Sequence, residues 1–170
     1  MAVRLVLAAM LTACAMLAGR SIAGARIKHA DDIRRMMDDL QLLRVLTIDR
    51  LLPMGNALAE LKFPAFQMTG REMLKDGRKN LSAAWKEIES RERREKGAMA
   101  GFTEEETGEI SILFDAVGVI GRKDHEKAYA DTIKRLGIME EEVRSSGREK
   151  AKLYASLGAL GGLAVSVLLV

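Results

Sequence analysis

A chain of 170 residues is enough for one domain, and its makeup is narrow: 48% apolar, 4% aromatic, with proline only at Pro53 and Pro64. Strong helix formers dominate and β-branched residues are few outside the termini, which excludes a sheet-based fold and reads as all-α. The net charge of +3 comes from 27 basic and 24 acidic residues that are interleaved, so it does not point to nucleic acid, and the single Cys14 excludes an intramolecular disulfide or a cysteine metal site.

The first element is apolar. Residues 3–19 carry only Arg4 and Thr12 among apolar side chains, and a helix of that length spans roughly 26 Å. The segment reads as a transmembrane helix at the short end of what crosses a hydrocarbon core of about 30 Å. Ser21-Ile22-Ala23 offers a rival reading, a signal-peptidase site in an exported chain, and Leu11-Thr12-Ala13-Cys14 offers a lipoprotein box. Charge favours the retained helix. Arg20, Arg26 and Lys28 crowd its inner flank, whereas Arg4 and the amino terminus stand on the outer one. Cationic flanks stay on the cytoplasmic side, so the chain between the two apolar ends is expected there.

Residues 20–152 form the charged middle, with 26 basic against 24 acidic residues and no Asp or Glu before Asp31 or after Glu149. Periodicity and punctuation predict six helices here. The first covers residues 30–50, with Ile33, Met36, Met37, Leu40 and Leu43 on one face. Pro53 suits the first position of a short helix through Leu61, and Pro64 opens another that ends near Gly77. Ser82 is expected to cap a fourth helix carrying Trp85 and Ile88, followed by a loop over residues 97–101.

Thr103 and Glu106 make a capping box for the fifth helix, whose apolar face is Ile110, Leu113, Phe114, Val117 and Ile120. Ile112 and Val119 add a second face, so this helix is expected to be covered on two sides until Gly121 stops it. Asp124 is expected to cap the sixth helix, which presents Tyr129, Ile133, Leu136 and Val143. Gly137 and Gly147 can bend it, but no strong breaker separates it from the last segment.

Residues 153–170 are uncharged and read as a second transmembrane helix, preceded by Arg148, Lys150 and Lys152 and followed by no charge. Both termini are therefore expected to face out. Gly158, Gly162 and Ser166 fall at i, i+4 and i+8, with Gly161 widening the stripe. Small residues at that spacing let helices approach closely in lipid, which suits self-association or a partner helix.

Nothing in the sequence composes an active site. His29 and His125 have no second ligand at metal spacing, there is no Gly-rich phosphate loop or nucleophile elbow, and Glu89 with Arg93 is an ordinary i,i+4 pair. Trp85 reads as a core anchor, and Met36, Met37, Met68 and Met73 read as adaptable filling. No catalytic residue, cofactor or metal is expected.

Lys152-Leu153-Tyr154 followed by Ser156-Leu157-Gly158-Ala159-Leu160-Gly161-Gly162-Leu163 resembles the ending of the stage III sporulation protein AB family. Pro53-Met54-Gly55-Asn56-Ala57-Leu58, Leu81-Ser82-Ala83-Ala84-Trp85 and Gly121-Arg122-Lys123-Asp124 are similar to further family segments in the same order. The chain departs from the family where Val45, Leu46 and Thr47 replace a late acidic residue of the first helix, and at Ala128, where glutamine is usual.

The resemblance implies a non-enzymatic platform subunit of the mother-cell-to-forespore channel, set in the outer forespore membrane on the mother-cell side. It also implies a six-helix bundle similar to the F domain of type II secretion. The implied partners are the stage III sporulation AA ATPase, other channel subunits, the membrane and, as one option, further copies of the chain.

Overall fold

A computed structural model describes residues 24–77, 79–119 and 122–168, excepting the side chains of residues 118, 119, 122, 123, 155 and 158–168. Among the described residues there are helices and no strand. Helix α1 covers residues 24–44 and runs into a π-turn at Val45–Asp49. It is followed by α2 (Met54–Ala59), α3 (Pro64–Lys75), α4 (Leu81–Arg94), α5 (Glu104–Val119) and α6 (Arg122–Leu168). The six expected helices are all present, with several starts and stops displaced.

The displacements have local causes. Pro53 is the residue before α2 rather than its first helical residue, held extended at ψ 139°. Pro64 does occupy the first turn of α3, with Phe63 extended before it as a pre-proline residue must be. Asn80, not Ser82, caps α4: its Oδ1 accepts the N–H of Ala83 at 2.7 Å. Ser82 lies inside the helix and donates instead to Asp115 on α5. The capping box of α5 is formed as expected, with the Glu106 N–H donating to Thr103 Oγ1 at 3.2 Å and Glu106 Oε2 accepting the Thr103 N–H at 2.8 Å. Helix α6 begins at Arg122, which puts Asp124 in the first turn against the positive end of the helix dipole rather than at the cap.

The end of α1 differs most from expectation. Regular α-helix stops at residue 44, and Val45, Leu46 and Thr47 belong to the π-turn instead. Thr47 Oγ1 bonds back to the Leu43 carbonyl at 2.7 Å and to that of Arg44 at 3.4 Å, a local competitor of the helical ladder. Leu51 then adopts φ 57°, a left-handed conformation that a leucine rarely takes.

Asp32–Glu140 form one compact unit. Its core gathers the four phenylalanines and the one tryptophan of the chain. Trp85 meets Phe114 edge-on at 5.4 Å and Phe66 at 5.6 Å, while Phe63 joins Phe66 at 5.2 Å and Phe102 at 5.6 Å. The Trp85 indole N–H donates to Ser111 Oγ at 3.0 Å, so its burial leaves no polar orphan. Ile33, Met36, Leu40 and Leu43 bury the inner face of α1, and Tyr129 and Leu136 that of α6.

Among the described side chains helix α5 is covered on one side. Ile110, Leu113 and Phe114 are buried, but Ile112 is 56% exposed, which overturns the two-sided expectation at that position, while the side chain of Val119 lies outside the described residues. Ile112 stands two positions from both Ile110 and Phe114, on the far side of a 3.6-residue helix.

Three polar anchors hold the connections. The buried Asp39 carboxylate on α1 accepts the N–H groups of Lys62 at 2.8 Å and Phe63 at 2.5 Å, fixing the α2–α3 loop. The buried Glu92 accepts the Ala98 N–H at 2.8 Å after α4. Arg93 does more than pair with Glu89: its guanidinium donates to the carbonyls of Phe102 and Thr103 and to Thr107 Oγ1, tying the α4–α5 loop to both helices. At Gly70 the α2–α3 pair is so close that a Cβ would stand 2.6 Å from Ala59 N and 2.7 Å from Gly55 O. Helices α1 and α6 run antiparallel within this unit, joined at one end by Arg44 and Glu126 (3.3 Å) and farther along where Met37 approaches Gly137.

The second compact unit contains α1 through Asp31 and α6 from Glu141 onward. Here too the helices are antiparallel. Arg26 Nη1 donates to Ser146 Oγ at 3.0 Å, and Arg144 Nη2 donates to Asp31 Oδ1 at 2.8 Å. Ala30 and Gly147 are buried, small residues that permit a close approach.

Candidate functional site

Clusters of titratable groups in the structure are structural clasps. Lys79 donates to Glu87 at 2.6 Å and to Glu72 at 2.9 Å, closing the α3–α4 connection. The bond to Glu87, then that to Glu72, holds the Lys79 ammonium well above the ordinary lysine range, and the bond from Lys79 lowers Glu72 below the usual carboxylate value. Asp115 is lowered chiefly by the Ser82 hydroxyl, with Lys86 adding to it. Each arrangement stabilises a fixed charge rather than poising a proton for transfer. His29 and His125 are half-buried on α1 and α6, and among the described residues no three His, Cys, Asp or Glu converge as a metal site.

One buried polar group stands apart. The Tyr129 hydroxyl has no hydrogen-bond partner among the described residues, and burial pushes it up to about 12. Thr47 stands near enough to offset a little of that rise, but its hydroxyl proton is committed to main-chain carbonyls of α1. Tyr129 is thus a core residue with an unpaired tip. It faces the π-turn, which the sequence did not foreshadow because no residue type marks a π-turn.

The basic residues expected to set topology concentrate in the paired-helix unit. Arg26 is half-buried on α1 and Lys28 exposed; on α6, Arg148 and Lys152 are exposed and Lys150 is half-buried. Arg20 lies outside the described residues. Pairing at Arg26–Ser146 and Asp31–Arg144 brings the two basic runs together, which their separation in sequence does not reveal. Beyond them on α6, Leu153 is 57% and Leu157 55% exposed, one helical turn apart on one stripe.

The apolar ends fall largely outside the described residues. Residues 3–19 are wholly outside, and so are the side chains of Gly158, Gly161, Gly162 and Ser166, although the backbone of all four belongs to α6. Among the described residues no helix is long and apolar enough to cross a membrane.

The chain matches the family model of stage III sporulation protein AB over residues 4–170. No curated protein and no solved structure matches it.

Proposed function

Because the chain belongs to the stage III sporulation protein AB family, and so to the apparatus of stage III of sporulation, we propose that it is a non-enzymatic, membrane-anchored platform subunit of the mother-cell-to-forespore channel. Two transmembrane helices, residues 3–19 and 153–170, hold the helical region 20–152 at the outer forespore membrane on the mother-cell side. That region docks the cytoplasmic stage III sporulation AA ATPase, and the membrane helices meet other channel subunits. The observation that carries this reading is the family match from residue 4 to residue 170, which takes in both apolar ends as well as the helical middle. The rigid, clasped character of the charged clusters supports a scaffold rather than an enzyme.

The stripe Gly158, Gly161, Gly162 and Ser166 supplies the packing face of the second membrane helix. Replacing Gly158 and Gly162 together by leucine weakens assembly while the melting of the Asp32–Glu140 unit stays unchanged. Affinity purification of the full chain from sporulating cells tests the whole reading. Recovery of the ATPase and other channel subunits is expected, and their absence from crosslinked membranes sinks it. Amino-terminal sequencing decides the rival reading: a mature chain beginning near Gly24, after Ser21-Ile22-Ala23, makes this an exported protein with one anchor.

A further inference from the structure

We propose that the paired-helix unit carries a binding surface for anionic lipid headgroups, formed by Arg148, Lys150 and Lys152 on α6. The inference rests on the membrane-anchored reading above and adds a lipid chemistry to it.

The charge there is one-sided. Residues 24–30 and 145–157 hold five basic groups, Arg26, Lys28, Arg148, Lys150 and Lys152, against the single acid Glu149. The acids Asp31, Glu141 and Glu142 all lie farther from the apolar end, where Asp31 is already paired with Arg144. Arg148 and Lys152 are exposed one turn apart, and Leu153 and Leu157 continue as an adjoining exposed stripe. A nucleic acid or an acidic protein would use the cations and leave those leucines in water. A bilayer takes both, phosphates on the cations and acyl chains on the leucines.

The dimensions agree. With a rise of 1.5 Å per residue, Arg148 stands about 7.5 Å above Leu153. Each headgroup layer is about 5–8 Å deep, the difference between the full bilayer and its hydrocarbon core. If the core begins at Leu153, Arg148, Lys150 and Lys152 all fall at headgroup level. Lys28, opposite the Ser145–Ser146 turn by way of the Arg26–Ser146 bond, stands about 12 Å above Leu153, outside the layer. The surface is therefore graded, strongest at Lys152 and Arg148 and weak at Lys28.

The test uses the full chain reconstituted in phosphatidylcholine vesicles with and without phosphatidylglycerol. Spin-labelled forms of each lipid report the fraction immobilised at the protein. Phosphatidylglycerol is expected to be preferred several-fold, a preference that fades between low and molar salt. The double change R148E/K152E, with helicity preserved, is expected to bring the ratio to unity, R148Q/K152Q to reduce it partway, and K28E to change it less than twofold. Equal association of both lipids, or a preference that survives R148E/K152E, overturns the inference and leaves the anchored reading standing. Release of the chain from the vesicles by alkaline carbonate instead overturns that reading itself, and this inference with it.

Discussion

The two compact units are equally helical but are held by different forces. Asp32–Glu140 holds and buries every large aromatic of the chain but Tyr154, which lies outside it, and its loops are tied by buried carboxylates and the Arg93 guanidinium. In the other unit the buried residues among those described are as small as Ala30 and Gly147, and polar contacts such as Arg26–Ser146 and Arg144–Asp31 link its helices. Burying so little apolar surface stabilises a helix pair weakly, at about 25 cal/mol per Å². One unit thus has a core of its own, whereas the other is a polar pair with Leu153 and Leu157 exposed beside it.

The largest expected effect strikes the aromatic core. Trp85→Ala removes the side chain that contacts Phe66 and Phe114 and leaves Ser111 without its donor. A loss of about 3–5 kcal/mol is expected, a large share of a small domain's stability. Thermal melting of the full chain in detergent should drop by more than about 10 °C. A drop of only a degree or two would mean that the aromatic cluster is not what holds this unit.

Gly70→Ala comes next. Its Cβ would meet main-chain atoms of α2, Ala59 N and Gly55 O, neither of which can swing aside like a flexible side chain. Separating the two helices should cost about 1–3 kcal/mol, read as a lower denaturation midpoint at unchanged slope. Gly108→Ala is its control: nothing beyond its own helical turn stands within 4 Å of the added Cβ, and alanine favours helix, so stability there should hold or rise.

How legible these features were in the sequence depends on the physics behind each. Trp85 and Phe114 as core residues and the α5 capping box were legible because apolar spacing and the Thr-x-x-Glu pattern act locally, whereas Phe63, Phe66 and Phe102 join the cluster through tertiary packing that spacing does not reveal. Asp39, Glu92 and the multiple bonds of Arg93 were not, since each serves a loop whose position only tertiary packing decides. The α4 cap went to Asn80 rather than Ser82 because two good capping residues stand two positions apart and spacing alone does not choose between them. In the paired-helix unit the basic residues were legible by type, but the convergence of the two runs needed the antiparallel pairing of α1 with α6.

Tyr129→Phe has a smaller effect, and one that depends on pH. At neutral pH it removes an unpaired buried hydroxyl, so stability should hold or rise by up to about 1 kcal/mol. The native tyrosine is raised from 10 to about 12, so its neutral form is favoured in the folded chain. That contribution is complete below pH 10 and is lost as pH rises toward 12. Lys79, also raised, loses its contribution in the same direction above its ordinary value of 10.5. The variant removes only the tyrosine share, about 1 kcal/mol at pH 11. Its alkaline limb should therefore be shallower than that of the parent, and superimposable limbs would show that the hydroxyl is hydrated rather than dry.

The smallest effect probes the polar pair directly. Arg144 is 19% exposed and Asp31 50% exposed, so their 2.8 Å contact lies where water screens charge. A double-mutant cycle with Asp31→Asn and Arg144→Gln should give a coupling of about 0.2–1 kcal/mol that weakens with salt. Desolvation separates the alternatives, because a pair withdrawn from water is far harder to break from one side and is little affected by salt. A salt-insensitive coupling above about 2 kcal/mol would place this contact in a dry interior. The paired-helix unit would then share the physics of the aromatic unit, and the contrast between them would fail at its weaker member.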